Sequence, residues 1–406
     1  MKIVVLKFGG TSVGTIKKIK KVAEIIKNYK KKNFKVIVVS SAMSGVTNEL
    51  INKSKDISKN FPDTEYDVLV SSGEQISCSL IAGRLNHLGI KSRSWLAWQI
   101  PIFTNGDHKN SRIHQINKNK VMKYLKEGGV PIITGFQGIN NKERVTTIGR
   151  GGSDASAIMV AKFFKAVRCV IYTDVEGVFT TDPNRLKKAK KIKLISYEEM
   201  LEMASLGAKV MQPVSIQDAR LNRIDIEVKS SFVNKAGTLI TKKSNITDSR
   251  IVTGISSTQN DSKVSLIGVK DKPGVAASIF KPLSKKSINV DMVVQNISAN
   301  GKETDLTFTI KTEDLNKTKK TIESNKNIKF RKLLLKKDVS KISVIGVGMI
   351  TTPGVTFRMF QTLANKKINI QVISTSEIKI SVLIDKRNTK KALIALHKEF
   401  KLDHKK

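Results

Sequence analysis

Cysteine is scarce. Cys78 and Cys169 are the only two, far apart and in no metal or redox spacing. That usage excludes a disulfide framework and fits a reducing compartment, so a cytoplasmic location is expected. Long apolar runs are also absent. No stretch approaches the ~18 residues needed to span a bilayer. The apolar start Ile3-Val4-Val5-Leu6 is cut short by Lys7, and no signal peptide is expected. Aromatic residues make up 5% of the chain, too few to interleave a basic surface as a base-stacking platform. Acidic residues are outnumbered, 34 against 73 Lys and Arg, which leaves a formal net charge of +39. Such an excess points to polyanions when it is gathered in one place. Here Lys17-Lys18, Lys30-Lys31-Lys32, Lys187-Lys188 and Lys336-Lys337 are scattered. They read as solvated helix faces, so neither nucleic acid nor membrane is expected as a partner.

What the chain does have is length and order. Its 406 residues suggest two or three domains with a substantial core. The stretch that organises them is Lys7-Phe8-Gly9-Gly10-Thr11-Ser12-Val13-Gly14. It joins a buried strand to a helical pattern with apolar Ile16, Ile19, Val22 and Ile26. Two glycines let a ligand approach the main chain, and the helix N-terminus suits phosphate. Lys7 adds a cation, although Thr15 stands where a Walker loop needs lysine.

Further strands precede small-residue loops. Val36–Val39 runs into Ser40–Thr47, where Thr47 either caps the next helix or faces a substrate. Ser71-Ser72-Gly73-Glu74 reads as the opening of a helix through Leu88, with Glu74 in its first turn. There the helix dipole favours a carboxylate, or a substrate ammonium is met by one. A helix is expected from about Gln115 to Lys126 and a strand over Val130–Thr134, followed by Gly135-Phe136-Gln137-Gly138. Thr146–Asp154 is the second strong signal. Gly149, Gly151 and Gly152 surround Arg150, which is placed to grip a carboxylate, and Ser153 or Asp154 is expected to cap the following helix. The strand Val167–Thr173 leads to Asp174, Glu176 and Asp182-Pro183-Asn184-Arg185, and Gly207–Val210 brings Lys209. Strands alternating with helices over 1–240 predict a largely parallel sheet, whose ligands bind at the strands' carboxyl ends.

The remainder repeats itself. Val264–Val269 with Pro273-Gly274-Val275 and Ile288-Asn289-Val290 is echoed by Ile342–Val347, Pro353-Gly354-Val355 and Ile368-Asn369-Ile370. Each copy reads as a small α+β module without a nucleophile–base pair or metal cluster, so binding or regulation is expected. The second copy ends one strand short. The apolar run Ile251–Ile255 is expected to cross over and complete its sheet, giving domains at 1–245, 263–338 and 339–406.

Taken together, Lys7–Val13, Ser72-Gly73-Glu74, Gly135–Gly138, Thr146–Asp154, Tyr172-Thr173-Asp174 and Gly207–Val210 resemble the aspartate kinase family over nearly the whole chain. The resemblance implies an α/β amino-acid-kinase fold followed by two ferredoxin-like ACT modules. It implies ATP- and magnesium-dependent phosphorylation of L-aspartate to 4-phospho-L-aspartate, the entry to lysine, threonine, methionine and diaminopimelate biosynthesis. Lys7, Phe8, Gly9 and Gly10 then look like the phosphate set, with Lys7 and Asp154 as the catalytic pair. Thr47, Glu74, Arg150, Gly151, Gly152 and Ser153 look like the aspartate site. Thr173, Asp174, Phe179, Asn184, Arg185, Lys209 and Val210 look like nucleotide contacts. Mg2+ would be held mainly by the phosphates, and no residue is assigned as a direct metal ligand. Asn184 stands where many relatives have arginine, and so does Val214. The modules would bind lysine and perhaps threonine. The residues for this are Asp271, Gly274, Asn289, Asp291 and Gln295 in the first copy, and Asn369, Gln371, Thr375 and Glu377 in the second. A homo-oligomer joined through the ACT modules is also implied. The alternatives are a kinase for another small acid, such as glutamate or acetylglutamate, or a non-catalytic amino-acid sensor.

Overall fold

The computed structural model describes residues 1–149, 151–205, 210–242, 250–297, 303–325 and 328–403; Arg150 and Lys209 lie outside them. The chain forms two compact units, one of Met1–Val178 with Lys191–Asp248 and one of Phe179–Lys190 with Ser249–Lys406. The second unit therefore includes a segment that sequence order assigns to the 1–245 domain.

The first unit opens with β1 (Ile3–Phe8), α1 (Ile16–Lys31), β2 (Lys35–Ser40), α2 (Val46–Ile57) and α3 (Asp63–His87). Next come β3 (Ser92–Trp95), β4 (Ile102–Thr104), β5 (Ile113–Ile116), α4 (Asn119–Lys126), β6 (Val130–Thr134), β7 (Gln137–Ile139) and β8 (Val145–Thr147). It closes with α5 (Gly152–Phe163), β9 (Arg168–Thr173), β10 (Leu194–Ser196), α6 (Tyr197–Ser205), α7 (Pro213–Asn222), β11 (Ile226–Ser230) and β12 (Thr238–Thr241). The main sheet runs β10-β12-β11-β9-β1-β2-β6-β3 and is parallel except for the β11–β12 pair. Val4, Leu6 and Phe8 alternate toward α1 and α3, where they meet Ile19, Val22, Ile26, Ile81 and Leu85 in one core. Val5 and Ile37 between them are fully buried as well, and α5 packs on β1 and β2. A sheet covered on both faces needs such continuous apolar strands.

Three local expectations are corrected. Glu74 is not in a first turn, because Asp63–Val70 is helical too and α3 runs unbroken for 25 residues. Gly73 survives mid-helix because a Cβ there would lie 2.8 Å from Ala42 Cβ. The expected helix from Gln115 begins only at Asn119, since Ile113–Ile116 pairs with β4. Neither Thr47, Ser153 nor Asp154 caps a helix. Left-handed glycines do so instead, Gly45 at φ 90° before α2 and Gly151 at φ 82° before α5. A glycine takes that conformation without the Cβ clash, which leaves the neighbouring polar side chains available.

The second unit contains β13 (Gly254–Lys270), α8 (Val275–Lys285), β14 (Val290–Ile297), β15 (Glu303–Lys311) and α9 (Leu315–Glu323). It continues with β16 (Lys332–Ile345), α10 (Val355–Asn365), β17 (Ile370–Ser376), β18 (Lys379–Asp385) and α11 (Thr389–Glu399). One sheet, β14-β15-β13-β16-β18-β17, carries both repeats. β16 runs without a break from the first repeat into the second. Its polar stretch Lys336-Lys337-Asp338 stays extended because Lys336 pairs across to Lys263. β13 serves two modules in turn. Gly254–Thr258 pairs with Lys341–Ile345, and Lys263–Ile267 pairs with Lys332–Lys336. Val252 and Ile255 are buried with Ile342, Val344, Met359 and Leu363 of the second repeat. Within the same unit Ile255 N donates to Thr180 O at 2.7 Å. Thr180 Oγ1 lies 2.9 Å from His397 Nε2, and Arg185 donates to Ser257 Oγ at 2.7 Å. These bonds tie Phe179–Lys190 to the six-stranded sheet and its helices and account for the division of the chain.

Candidate active site

The carboxyl ends of β1, β2, β6 and β9 meet at one edge of the main sheet. Gly9 N donates to Tyr172 O, Ser41 N to Phe8 O and Gly135 N to Ser40 O, so the loops that follow these strands are stitched side by side. Gly10 allows this, since a Cβ there would lie 2.9 Å from Ala42 O.

Lys7, next to last in β1, is buried, and its Nζ lies 2.7 Å from Oδ1 of Asp154 in the first turn of α5. Both side chains are nearly sealed, at 11% and 12% exposure, so little solvent screens the pair. Across the same floor Glu74 is buried and accepts from Ala42 N at 3.0 Å through Oε1. Its Oε2 has no hydrogen-bond partner among the described residues. Burial pushes the Glu74 carboxyl up to about 8, against the opposing pull of the Ala42 N–H and the Lys7 charge. A buried carboxylate with one free oxygen is suited to accept a cationic donor from a ligand.

The arrangement is a paired lysine at a Gly-Gly turn, an acidic partner in the first turn of α5 and an incompletely paired buried glutamate. Residues 2–230 match the amino acid kinase family. The chain belongs to the amino acid kinase family. Residues 264–325 and 342–400 match the ACT domain. An aspartate kinase of Pseudomonas putida is 42% identical over 405 residues, covering 99% of this chain and 98% of its own. Aspartokinase 2 of Bacillus subtilis is 40% identical with the same coverage. The structure of E. coli aspartokinase III in complex with lysine and aspartate aligns over 98% of this chain and 99% of that one, with TM-score 0.81 and 25% identity.

In this amino acid kinase the expected residues fall into separate groups. Lys7, Gly9, Gly10, Glu74, Ser153 and Asp154 gather at the strand ends, where Gly135 is so close to Ser153 that a Cβ would lie 2.9 Å from its Oγ. Gly151 and Gly152 form the turn into α5, packed on Gln212 and Phe136. Thr47 lies half-buried in the first turn of α2. Thr173 ends β9, and its hydroxyl donates to Oδ1 of Asp174, the next residue, at 3.0 Å. Val210 is half-buried, and Arg150 and Lys209 lie outside the described residues. The Phe8 ring is fully buried and stacked on Tyr172 at 4.9 Å, so its side chain belongs to the core and only its main chain is left to meet a ligand. Alternation along β1 carries the signal, because Val4, Leu6 and Phe8 share one face. Phe179, Asn184 and Arg185 lie in the second unit, where the Arg185 guanidinium is engaged by Ser257.

Among the regulatory candidates, Asp271, Gly274 and Gln295 line one cleft of about 590 Å³. Asn289 lines a neighbouring one of about 250 Å³ with Phe280 and Val293. Asn369, Thr375 and Glu377 are exposed and Gln371 is half-buried. Asp291, expected to meet an effector ammonium, is already paired with Lys341 and accepts from Met292 N. Burial alone would raise its carboxyl, but the Lys341 ammonium outweighs this and holds it below the ordinary range. Sequence reasoning missed Lys341, whose partner is 50 residues away on another strand.

Proposed function

We propose that this amino acid kinase is an aspartate kinase, which transfers the γ-phosphoryl group of ATP to the β-carboxylate of L-aspartate, giving 4-phospho-L-aspartate and ADP. This is the first step toward lysine, threonine, methionine and diaminopimelate. The observation that carries the reading is the buried Lys7–Asp154 pair beside Glu74 with its unpartnered oxygen. The nucleophile has an ordinary pKa of ~4 and is ionised at neutral pH. No general base is then required, and the task is to bring two anions together and stabilise the charge that spreads over the transferring group. Lys7 supplies positive charge there, and Asp154 fixes its direction. Glu74 accepts the substrate ammonium, Arg150 grips its α-carboxylate, and Thr47 and Ser153 add hydroxyls. Thr173, Asp174, Lys209 and Val210 are the nucleotide contacts. Mg2+ would neutralise phosphate charge while held mainly by the phosphates, and Asp154 would act on them through Lys7, with which it is paired.

A coupled assay on aspartate, with hydroxylamine trapping of the acyl phosphate and glutamate and acetylglutamate as competitors, tests the reaction. Turnover of either competitor in preference to aspartate refutes the assignment. Arg150→Lys is expected to raise KM for aspartate about tenfold and leave KM for ATP within twofold, because lysine keeps the charge and loses the planar fork. If KM for ATP rises instead, Arg150 belongs to the other substrate.

Regulation by lysine, and by threonine, is assigned to the ACT modules, with the Asp271–Gln295 cleft as the first place to look. Calorimetry on the full chain is expected to register lysine binding that Asp271→Ala weakens. Absence of heat with every aspartate-derived amino acid would remove the regulatory role. Assembly into a homo-oligomer through these modules follows from the same reading, and its check is the mass in solution by light scattering. A cytoplasmic location is supported by two free, buried cysteines. Among the described residues no helix is long and apolar enough to cross a membrane.

A further inference from the structure

Two helical turns before Glu74 on the same face of α3 sits another carboxylate. Asp67 is entirely buried, with no exposed side-chain surface, and its seven-residue spacing from Glu74 puts the two about 10 Å apart along the axis. His108 Nδ1 lies 2.7 Å from Oδ2. Lys109 N donates to both oxygens, at 3.1 and 3.2 Å. The Thr147 hydroxyl, at the end of β8, donates to Oδ1. One carboxylate thus binds an external loop and a strand end at once.

Those two pieces are also bound to each other. Ser111 N donates to Thr147 O at 3.0 Å. Two residues further on, Gly149 is so close to Asn110 that a Cβ would lie 2.5 Å from its Oδ1. Thr146 Oγ1 is fixed by Thr104 Oγ1 at 2.8 Å. The strand that leads to Gly149, just ahead of Gly151 and Gly152 at the start of α5, is therefore held by a buried clamp on the helix that carries Glu74. We propose that Asp67 is a positioning residue. Through His108, Lys109 and Thr147 it sets where β8 ends, and hence the distance between Glu74 and the Gly151-Gly152 turn, the side of the site proposed to hold the other end of the amino-acid substrate. This rests on the reading of that turn as the aspartate side of the site. Asp67 itself touches no substrate, and it acts on one substrate and not on the nucleotide.

The test uses the full chain. Asp67→Asn keeps the shape, but the amide presents a donor where the carboxylate accepted from Lys109 N–H or Thr147 O–H. KM for aspartate is expected to rise about tenfold, with kcat and KM for ATP within twofold. Thr147→Val removes a single donor from outside the substrate contacts and is expected to raise KM for aspartate about threefold. It reads the clamp even if Asp67→Asn fails to fold. His108→Gln retains a donor and should stay within twofold of wild type. If KM for aspartate is unchanged in both variants, or rises together with KM for ATP, Asp67 is a structural residue only. An active wild type with unchanged variants refutes the clamp, whereas a wild type that does not turn over aspartate refutes the functional reading first.

Discussion

Lys7→Ala is expected to lower kcat by a factor of several hundred while leaving the secondary structure intact. Lys7 is placed in the proposed site at the strand ends, where charge would develop during transfer, and it is nearly sealed from water. A preorganised contact of this kind contributes about 3–4 kcal/mol to the transition state. The effect should fall on kcat, because the charge it meets is larger in the transition state than in bound ATP. Stability will change as well. Removing the lysine leaves Asp154 buried without its counter-ion, which costs about 3–5 kcal/mol when nothing rearranges. Lys7→Ala with Asp154→Asn separates the two effects, since the double variant regains melting temperature but not turnover. A folded Lys7→Ala enzyme with turnover within tenfold of wild type would remove Lys7 from the mechanism.

Glu74→Gln is expected to raise KM for aspartate ten- to hundredfold, the range for losing a charge-assisted bond of about 1.5–3 kcal/mol to an ammonium. Proton uptake and release make the prediction sharper. With its carboxyl pushed up to about 8, Glu74 is largely protonated in the ligand-free protein at pH 7. Accepting the substrate ammonium requires the charged form. Aspartate binding should therefore release a proton at pH 7, and KM for aspartate should fall as pH rises from 6 to 8. The stability of the ligand-free protein has the opposite sign. Between the ordinary glutamate value and about 8 the folded state holds the proton more tightly than the unfolded state, so stability is lost as pH rises through that window. Glu74→Gln should flatten both profiles. Calorimetry in two buffers of different ionisation heat measures the proton directly, and its absence would mean that Glu74 is charged before the substrate arrives.

The sequence by itself determined the repeating units and the strand-end loops. Apolar runs such as Val36–Val39 and Val130–Thr134 bury on both faces, and only a covered parallel sheet uses such runs. Glycine density marked Gly9-Gly10 and Gly149–Gly152, because a main chain that must approach something closely cannot carry a Cβ. The doubled Pro-Gly-Val pattern gave the two α+β modules for the same reason, since Gly274 and Gly354 each take φ 87° ahead of a helix. Other features were decided by contacts far apart in sequence. Glu74 became a mid-helix residue because α3 extends back to Asp63, and its raised carboxyl follows from burial against the Ala42 loop, 32 residues away. Asp67, His108 and Thr147 look like unrelated polar residues until the sheet brings them within bonding distance. Asp291 looked free until Lys341 reached it across the second sheet. Local backbone chemistry is written in neighbouring residues and can be read there. The pairing of a buried charge depends on which strands and helices lie side by side, and that is fixed only when the whole core packs.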